Sequence, residues 1–388
     1  MGNERFNSFL NSKFKHLYRT IPVTELSNRR VAIDAANFMY SRMAIISKRV
    51  IEQSHPTMEP DRGIIRRMWA EMLLDFILKW LSYQITPVFV FDGVHPSSKK
   101  DTQQKRRQVK IEARQKLHQL LHQYQNSDPL SNHSAIFTEI KKERLKSFTF
   151  DNDDYELMMN ILLYTGTPVL RAQGEGEKLA SMLCIQGKVA AVFSSDSDLI
   201  PLSCPIQIKG FEKEKIFQYG QRVDTLKVLL INDVQLHMEL NAHQMMDLYI
   251  LTGCDYNEKI PGMGGVTACR LIKEYGRLEN IPRQKIANWE ALNIEECRAN
   301  FNITNWEQEV DGTNYNLDFP SVLHHDLFNF LQYYDLGGYY QTFVRSCPPP
   351  RMIEGRIAAV STPTITVNKS TPLHKKTIAI NLPSSART

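Results

Sequence analysis

The feature that most constrains this chain is a short apolar run that ends in two acidic residues. The run extends from Val189 to Phe193, and Ser194-Ser195-Asp196-Ser197-Asp198 follows it. An unbroken apolar run of this length is typical of a strand buried on both faces of a sheet. Residues i and i+2 of an extended chain point to the same side, so Asp196 and Asp198 would share a cation. A solvated turn explains this stretch alone equally well, because Ser and Asp are common turn formers.

Three further apolar segments end in acidic residues in the same way: residues 30–33 at Asp34, residues 87–91 at Asp92, and residues 168–170 ahead of Glu175 and Glu177. Helical patterns separate these segments, which favours an α/β fold with a mostly parallel central sheet. Ligands of such sheets bind beyond the carboxyl ends of the strands. We therefore predict that six carboxylates share one edge of the sheet.

Six carboxylates at one edge would repel one another unless cations lay between them. Any one of them could instead cap a helix or close a turn, and Asp34 ahead of a helix is a good N-cap candidate. Hard oxygen ligands without His or Cys select Mg²⁺ or Mn²⁺ rather than zinc. The pattern thus predicts two Mg²⁺ ions, with Mn²⁺ as a possible substitute, and phosphoryl-transfer chemistry.

Charge is informative here through its distribution rather than its sum. The chain has 388 residues and a net charge of +5, but residues 351–388 alone hold six basic residues and one acidic residue. A basic run at residues 99–116 is opposed only by Asp101 and Glu112. It lies in a connection far longer than an ordinary loop, which must form a substructure of its own. A solvated helix face is the usual meaning of such a run, and nucleic-acid contact is the alternative.

No membrane or disulfide framework is expected. The six cysteines contain no C-x-x-C pair, which suits a reducing intracellular compartment. The N-terminus lacks a signal-peptide core, and the most apolar segment, residues 68–81, is interrupted by Glu71, Asp75 and Lys79.

Two further stretches complete the chain. A Gly-x-Gly turn at Gly262 and Gly264 precedes a helical pattern and would expose backbone N–H groups to a phosphate. We assign the aromatic residues between 289 and 343 mostly to the core. Residues from 348 onward mix Pro, Ser, Thr and Lys without periodicity, which predicts disorder.

In this order the motifs resemble the flap endonuclease branch of the XPG-type structure-specific 5′ nucleases. They are Val-Ala-Ile-Asp34-Ala, Phe-Asp92-Gly, Gly-Glu175-Gly-Glu177-Lys-Leu-Ala, Ser-Asp196-Ser-Asp198, Gly-Cys-Asp255-Tyr and the hairpin from Gly262 to Ala268. The resemblance extends from residue 1 to about residue 280 and implies a PIN-like nuclease fold with a helical arch and a helix-hairpin-helix.

The resemblance also implies roles for particular residues. It adds Asp255 as a seventh metal-site carboxylate, which the strand-exit argument does not find. Lys99 and Arg106 match the basic residues that contact the scissile phosphate, and Tyr40 matches an aromatic residue that stacks on the unpaired base. The resemblance implies further DNA contacts from Lys100, Lys105 and Arg107 in the arch and from Gly262 and Gly264 in the hairpin. In the family, a K⁺ ion often assists the binding of duplex DNA by this hairpin.

Three departures from the family pattern stand out. The usual opening survives only as Met1-Gly2, Gly176 replaces the usual Ala between the two Glu, and Gly265-Val266 replaces a Pro-basic pair in the hairpin. The tail lacks the usual sliding-clamp motif. Such drift would suit a large DNA virus or a divergent eukaryotic lineage.

The expected domain organisation has five parts: an N-terminal nuclease region at 1–98, a basic helical arch at 99–150, an internal nuclease region at 151–285 with the hairpin near 253–275, an aromatic-rich region at 286–347 and a disordered basic tail at 348–388. We expect a monomer whose partner is branched or flapped DNA, with protein partners undetermined.

The predicted function is a Mg²⁺-dependent 5′ flap endonuclease and 5′–3′ exonuclease in DNA replication, recombination or repair. It would act inside the cell, in the nucleus or, for a viral protein, in a cytoplasmic factory. Two alternatives stay open at this point. One is a non-catalytic scaffold that binds DNA junctions, and the other is a haloacid-dehalogenase-like phosphatase that uses Asp196 as its nucleophile.

Overall fold

A parallel sheet of apolar strands positions the rest of the molecule. The structure, a computed structural model, describes residues 3–94, 99–128, 131–218, 220–303, 305–311, 317 and 324–346, except the side chains of Lys100, Asp101 and His324. The strands are β1 Tyr18–Pro22, β2 Arg30–Asp34, β3 Thr86–Phe91, β4 Val169–Arg171, β5 Ala191–Phe193, β6 Ile206–Phe211, β7 Ile216–Gln218, β8 Gln221–Val223 and β9 Thr225–Leu230.

Within the described residues, seven of these strands form one sheet in the order β1-β9-β6-β5-β2-β3-β4. The five strands from β6 to β4 run parallel to their neighbours, whereas β9 pairs antiparallel with both β6 and β1. Strands β7 and β8 form a separate two-stranded hairpin. The prediction of an α/β fold with a mostly parallel central sheet is confirmed.

The register of the parallel strands aligns their carboxyl ends. Ile33 of β2 lies opposite Phe89 of β3 on one side and Phe193 of β5 on the other. The residues that follow these three positions therefore leave the sheet at the same edge, as parallel pairing requires. The acidic residues after each strand consequently meet there.

Helices cover both faces of this sheet. They are α1 Glu4–Lys13, α2 Ala35–Gln53, α3 Arg62–Ser82, α4 Lys100–Gln125, α5 Ser134–Ser147, α6 Asn152–Tyr164, α7 Gly176–Ile185, α8 Ile231–Met238, α9 Ala242–Thr252, α10 Gly265–Tyr275, α11 Ile294–Phe301, α12 Trp306–Glu309, α13 His324–Tyr333 and α14 Gly338–Ser346. None of the helices in the described residues combines the length and the apolar character that crossing a membrane requires.

The apolar strands are buried on both faces because successive side chains point to opposite sides. In β2, Ile33 packs into the core formed with α2 and α3, while Ala32 packs into the core formed with α7. Phe193 of β5 contacts Phe76 and Trp80 of α3, with ring centroids 5.2 and 6.0 Å apart. The unbroken apolar pattern of these strands thus follows from having helices on either side.

A third apolar cluster joins the N-terminus to the second half of the chain. Phe6 of α1, Tyr249 of α9 and Phe301 of α11 lie in it, and the ring centroid of Tyr249 is 5.1 Å from that of Phe6 and 5.7 Å from that of Phe301. This cluster fixes α1 and α9 next to the sheet edge at which the acidic residues meet.

The long connection after β3 forms a pair of helices, α4 and α5, which pack along each other. Lys141 Nζ and Arg144 Nη2 of α5 donate hydrogen bonds to the carbonyl oxygens of Glu52 and Pro56, at 2.7 and 3.2 Å. These contacts attach the pair to the end of α2. The basic N-terminal half of α4 is thereby held over the sheet edge.

Two local expectations differ from the structure. The sequence pattern predicts a helix from Lys178 with both glutamates ahead of it, but α7 begins at Gly176, so Glu175 is its N-cap and Glu177 lies in its first turn. Among the late aromatic residues, Trp306 and Phe343 are buried, but Phe328 and Tyr333 are 43% and 55% exposed. Helix α13 presents one face to solvent, and those two side chains lie on that face.

Gly93, directly after Asp92, provides a test of how tightly the sheet edge is packed. A Cβ atom at this position would lie 2.0 Å from the carbonyl oxygen of Ala172 and 2.5 Å from that of Gln173. We expect Gly93→Ala to lower the free energy of unfolding by about 3 kcal/mol, the upper end of the usual cost of overpacking. Chemical denaturation measures this free energy of unfolding. Gly174→Ala is the control, because a Cβ atom at position 174 meets no atom within 4 Å. Equal stability of the two variants would contradict this packing.

Candidate active site

Asp34 is the first carboxylate at the edge, and it links two strand exits. It ends β2 and caps α2, because its Oδ1 accepts a hydrogen bond from the backbone N–H of Asn37 at 3.0 Å. Its Oδ2 accepts a hydrogen bond from Ser194 Oγ, at the exit of β5, at 2.8 Å. The side chain is buried, and both oxygens are held in place.

Asp92 meets the start of α7 at close range. Its Oδ1 accepts a hydrogen bond from the backbone N–H of Gly176 at 2.7 Å. A Cβ on residue 176 would lie 3.0 Å from that oxygen and 3.3 Å from the carbonyl oxygen of Val90. Gly176, which departs from the family pattern, therefore gives α7 the space to lie against the end of β3.

Asp196 and Asp198 lie in a loop held by its own backbone and by β6. The N–H of Asp198 donates to Asp196 Oδ1 at 3.1 Å, and the N–H of Asp196 donates to Ser194 Oγ at 3.1 Å. Buried Gln207 of β6 donates its side-chain amide to the carbonyl oxygens of Ser194 and Asp196. The turn expected after this strand is present, and its carboxylates are buried rather than solvated.

Tyr249 holds the second of these carboxylates. Its phenol donates a hydrogen bond to Asp198 Oδ1 at 2.5 Å and lies 2.8 Å from Ser197 Oγ. The backbone N–H of Asn3 donates to Ser197 Oγ at 2.9 Å, and Asn3 Nδ2 donates to Thr252 Oγ1 at 2.7 Å. The N-terminal segment is thus part of the network that orients Asp198.

Asp255 belongs to the loop after α9 and meets the basic helix α4. Arg106 Nη2 lies 3.0 Å from its Oδ2 and 3.2 Å from its Oδ1, and Thr102 Oγ1 donates to its carbonyl oxygen at 3.0 Å. Arg106 and Thr102 lie four residues apart on one face of the helix. The first turns of α4 are therefore anchored on the seventh carboxylate.

Lys99 lies at the centre of the cluster. Its Nζ is 2.6 Å from Glu175 Oε2 and 3.9 Å from the nearest oxygens of both Glu177 and Asp255. The side chain is buried, which would be unfavourable for an ammonium group without such partners. The position just before α4 thus places a positive charge among the acidic residues.

The pKa values reflect this crowding of like charges. Burial, together with the charges of Asp92 and Asp196, raises the pKa of Asp34 to about 7. Burial raises the pKa of Glu177 and Asp198 well above the ordinary range, and neighbouring carboxylates add to the effect in both. Burial disfavours the Lys99 ammonium, but the charges of Glu177, Glu175 and Asp198 outweigh it and raise its pKa.

These contacts show that the seven carboxylates form one electrostatic cluster, with the buried ammonium of Lys99 among them and the ammonium of Lys209 beside the Asp196 loop. In the part of the chain that the structure describes, no three Asp, Glu, His or Cys side chains are arranged so that they could hold a metal ion as they stand. The donor set nevertheless suits a hard divalent cation, because it consists of carboxylate oxygens whose negative charges outnumber the cations beside them. Lys99 already supplies one positive charge to three of these carboxylates, Glu175, Glu177 and Asp255.

The other predicted site residues surround this cluster. Tyr40 of α2 is 45% exposed, and its ring packs edge-on against Phe150 with centroids 4.8 Å apart. Lys105 and Arg107 are exposed on α4. Lys105 and Arg106 line a cleft of about 540 Å³ together with Asn3, Glu4 and the 253–259 loop. The side chain of Lys100 lies outside the described residues.

The two hairpin glycines lie in the segment between Asp255 and α10. Gly262 has a φ of 71°, in the left-handed region that favours glycine, and Gly264 is the N-cap of α10. A Cβ at either position would meet no atom within 4 Å, so the backbone there is open to approach.

Several supporting residues were not found from the sequence. They are Asn3, Asn37, Ser194, Gln207 and Tyr249. Asn37 had a local signal, since it lies three residues after the N-cap Asp34. Nothing local marks Tyr249 or Asn3, because their partners are up to 249 residues away.

Comparisons with known proteins agree with this geometry. The chain matches the sequence model of the XPG N-terminal domain over residues 1–113 and that of the XPG I-region over residues 166–255. Together the two matches cover more than half of the chain. They include all seven carboxylates and the N-terminal part of α4.

Individual relatives extend the comparison. The chain is 29% identical to flap endonuclease 1-1 of Paramecium tetraurelia over 286 residues. This aligned region covers 72% of this chain and 67% of the relative. It is 28% identical over 254 residues to flap endonuclease 1 of Glycine max, covering 66% of this chain and 61% of the relative. The matched part thus spans about two thirds of these relatives.

Solved structures of low identity share the fold. Flap endonuclease-1 from Methanococcus jannaschii superposes with a TM-score of 0.56 at 20% identity, covering 86% of this chain and 98% of that one. The catalytic core of Rad2 in complex with DNA substrate gives a TM-score of 0.56 at 18% identity, covering 88% of this chain and 100% of that one.

Tyr249→Phe tests whether the buried phenol orients Asp198. Losing a hydrogen bond to a metal ligand typically weakens metal binding by about 10–100-fold. We expect Mn²⁺ affinity, measured by electron paramagnetic resonance of the free ion, to fall within this range. Tyr83→Phe is the matched control, because it removes a phenol–carboxylate hydrogen bond of 3.0 Å to Asp224 outside the cluster. Equal Mn²⁺ affinity in Tyr249→Phe and wild type would exclude the positioning role.

Proposed function

Because the chain belongs to the XPG family of structure-specific nucleases, we propose that it is a 5′ flap endonuclease with 5′–3′ exonuclease activity. Its substrate is DNA near a junction between single strand and duplex, and its reaction is phosphodiester hydrolysis. The observation that carries the proposal is the seven-carboxylate cluster facing Lys99 and Arg106 of the basic helix. Two cations in contact with a carboxylate cluster suit the binding of a phosphate beside that cluster.

The proposed cofactor is a pair of Mg²⁺ ions, for which Mn²⁺ substitutes. The residues that would hold them are Asp34, Asp92, Glu175, Glu177, Asp196, Asp198 and Asp255. When bound, such ions lower the pKa of water and offset the negative charge of an in-line displacement. The fit rests on the oxygen donor set and on the uncompensated repulsion among these side chains.

Lys99 and Arg106 have a second role in this proposal. They lie seven residues apart, close to two helical turns, so both face the carboxylates. Each forms an ion pair with an acidic side chain: Lys99 with Glu175, and Arg106 with Asp255. A scissile phosphate would accept hydrogen bonds from both, and fixed cations there stabilise the charge that develops during hydrolysis.

The path of the DNA follows from the exposed groups. The half-exposed ring of Tyr40 offers a stacking surface for the unpaired nucleotide beside the site. Lys105 and Arg107 extend the basic surface of α4 along the single strand, and a contact from Lys100 stays a prediction from the family resemblance. The hairpin at Gly262 and Gly264 would contact the duplex backbone, and contacts of this kind make binding steeply salt-dependent.

Some finer expectations remain proposals. We propose a monomer that does not use the usual sliding-clamp motif and that acts at intracellular sites of DNA replication, recombination or repair. We also propose the five-part domain organisation given above. Its basic tail, residues 348–388, lies outside the described residues. The K⁺ ion that the family resemblance predicts at the hairpin is not part of this proposal.

The two alternatives lose support at this point. Family membership gives no support to a phosphatase. A non-catalytic scaffold would be expected to lack one or more of the seven carboxylates, and this chain has all seven.

A panel of branched DNA substrates tests the function. With Mg²⁺ we expect the wild type to cleave a 5′ flap near its junction in preference to gapped, nicked, bubble or four-way substrates. Asp196→Ala should retain flap binding but lose about 10³-fold in cleavage rate, since several kcal/mol of charge stabilisation disappear. Asp153→Ala, an exposed carboxylate paired with Arg66, is the control and should cleave normally. Near-normal turnover by Asp196→Ala would refute its assignment to the metal site.

Arg106→Ala tests whether the guanidinium acts in the reaction. We expect single-turnover cleavage to slow by about 10²–10³-fold, the usual cost of removing one group that stabilises developing charge. Flap affinity should change much less. Arg114→Ala, on the same helix but bonded to Thr149, is the matched control. An effect on affinity alone would make Arg106 part of a docking surface.

A further inference from the structure

The hairpin before α10 directs two carbonyl groups at one cation. The carbonyl oxygens of Ile260 and Met263 both accept hydrogen bonds from a single nitrogen, Nη1 of Arg5, at 2.6 and 3.1 Å. The left-handed turn at Gly262 lies between these two residues and brings their carbonyls to the same side. Two peptide oxygens that converge on one point repel each other unless a donor or cation lies between them.

The position of Arg5 is fixed by the packing of α1. Asn3 caps this helix, and Phe6, Phe9 and Leu10 are buried in the cluster shared with α9 and α10. Phe9 lies directly over Gly265, where a Cβ atom would be 2.2 Å from Phe9 Cβ. The glycine that departs from the family pattern at position 265 thus permits α1 to approach the hairpin closely enough for Arg5 to reach it.

The K⁺ ion predicted for the hairpin does not fit this arrangement. The two oxygens that could coordinate it already accept charge-assisted hydrogen bonds from a guanidinium, which does not lose its proton in proteins. A second cation at the same point would be repelled by the first. We propose that Arg5 is the built-in cation of the hairpin, so that this chain binds duplex DNA without a monovalent metal ion.

This proposal rests on the proposed function, because it takes the hairpin as the element that contacts the duplex. A fixed cation behind the turn stabilises the hairpin and adds positive potential beside the N-terminus of α10. The backbone at Gly264 is open, so a DNA phosphate can approach the N–H groups there. A bound K⁺ ion depends on salt composition, whereas a guanidinium held by a packed helix does not.

Duplex affinity in different monovalent salts tests the proposal. Binding of a labelled flap duplex is followed by fluorescence anisotropy at constant ionic strength, without divalent ions, in KCl, NaCl or tetramethylammonium chloride. The wild type should bind with the same Kd in all three salts. Arg5→Met should bind about tenfold more weakly in tetramethylammonium, the size of effect expected from losing one charge-assisted contact, and K⁺ should restore its affinity.

Two further variants make the result decisive. Lys13→Met removes one charge from the exposed end of the same helix and should show only a small change that is equal in all salts. Arg5→Lys keeps a cation near the carbonyls and should bind well without K⁺, and thermal unfolding of each variant reports whether the fold is retained. If Arg5→Met does not fold, the salt independence of the wild type and of Arg5→Lys still decides the question.

Three results would overturn the proposal: a wild type that needs K⁺ for tight binding, an Arg5→Met variant with unchanged affinity, or a weakened Arg5→Met variant that K⁺ fails to restore. Failure of the proposed function looks different. A chain that binds duplex equally in all salts but cleaves no branched substrate would contradict the nuclease assignment and leave the role of Arg5 intact.

Discussion

The repulsion among carboxylates gathered at one edge of the parallel sheet is the constraint on which this structure depends. Four of the seven, Asp34, Glu175, Asp196 and Asp198, are almost completely buried. Burial and repulsion from neighbouring carboxylates raise the pKa values of Asp34 and Asp198 and so disfavour the ionised forms of these two side chains. Lys99 and Arg106 offset part of this negative charge through their ion pairs with Glu175 and Asp255. The same two residues would contact the phosphate during hydrolysis, so one pair of cations serves the folded state and the proposed reaction.

The need to hold these groups explains features that look unrelated along the chain. Ser194 bridges Asp34 and the loop of Asp196, Gly176 brings α7 against Asp92, and Tyr249 holds Asp198. Each contact joins elements that lie far apart in sequence. A ligand set with its orientation fixed in this way requires little rearrangement when a substrate arrives, which is the condition for effective electrostatic catalysis.

Helix α1 connects two functional regions of the molecule. Asn3, the N-cap of this helix, belongs to the network around Asp198, and Arg5, two residues later, reaches the carbonyls of the hairpin. The altered N-terminus of this chain is therefore a structural component of both regions. Gly265, another departure from the family pattern, leaves the space that Phe9 of the same helix occupies.

The sequence by itself determined the sheet and six of the carboxylates. Apolar strands that alternate with helices form a parallel sheet, and parallel strands send the residues after them to a common edge, so Asp34, Asp92 and Asp196 could be placed by pattern. Asp255 follows a helix rather than a strand, and only the family resemblance pointed to it. The tertiary structure alone decided which groups support the cluster. Asn3, Tyr249 and Arg5 have no local signature, because hydrogen bonds between residues some 250 positions apart arise from packing and leave no periodic trace in the chain.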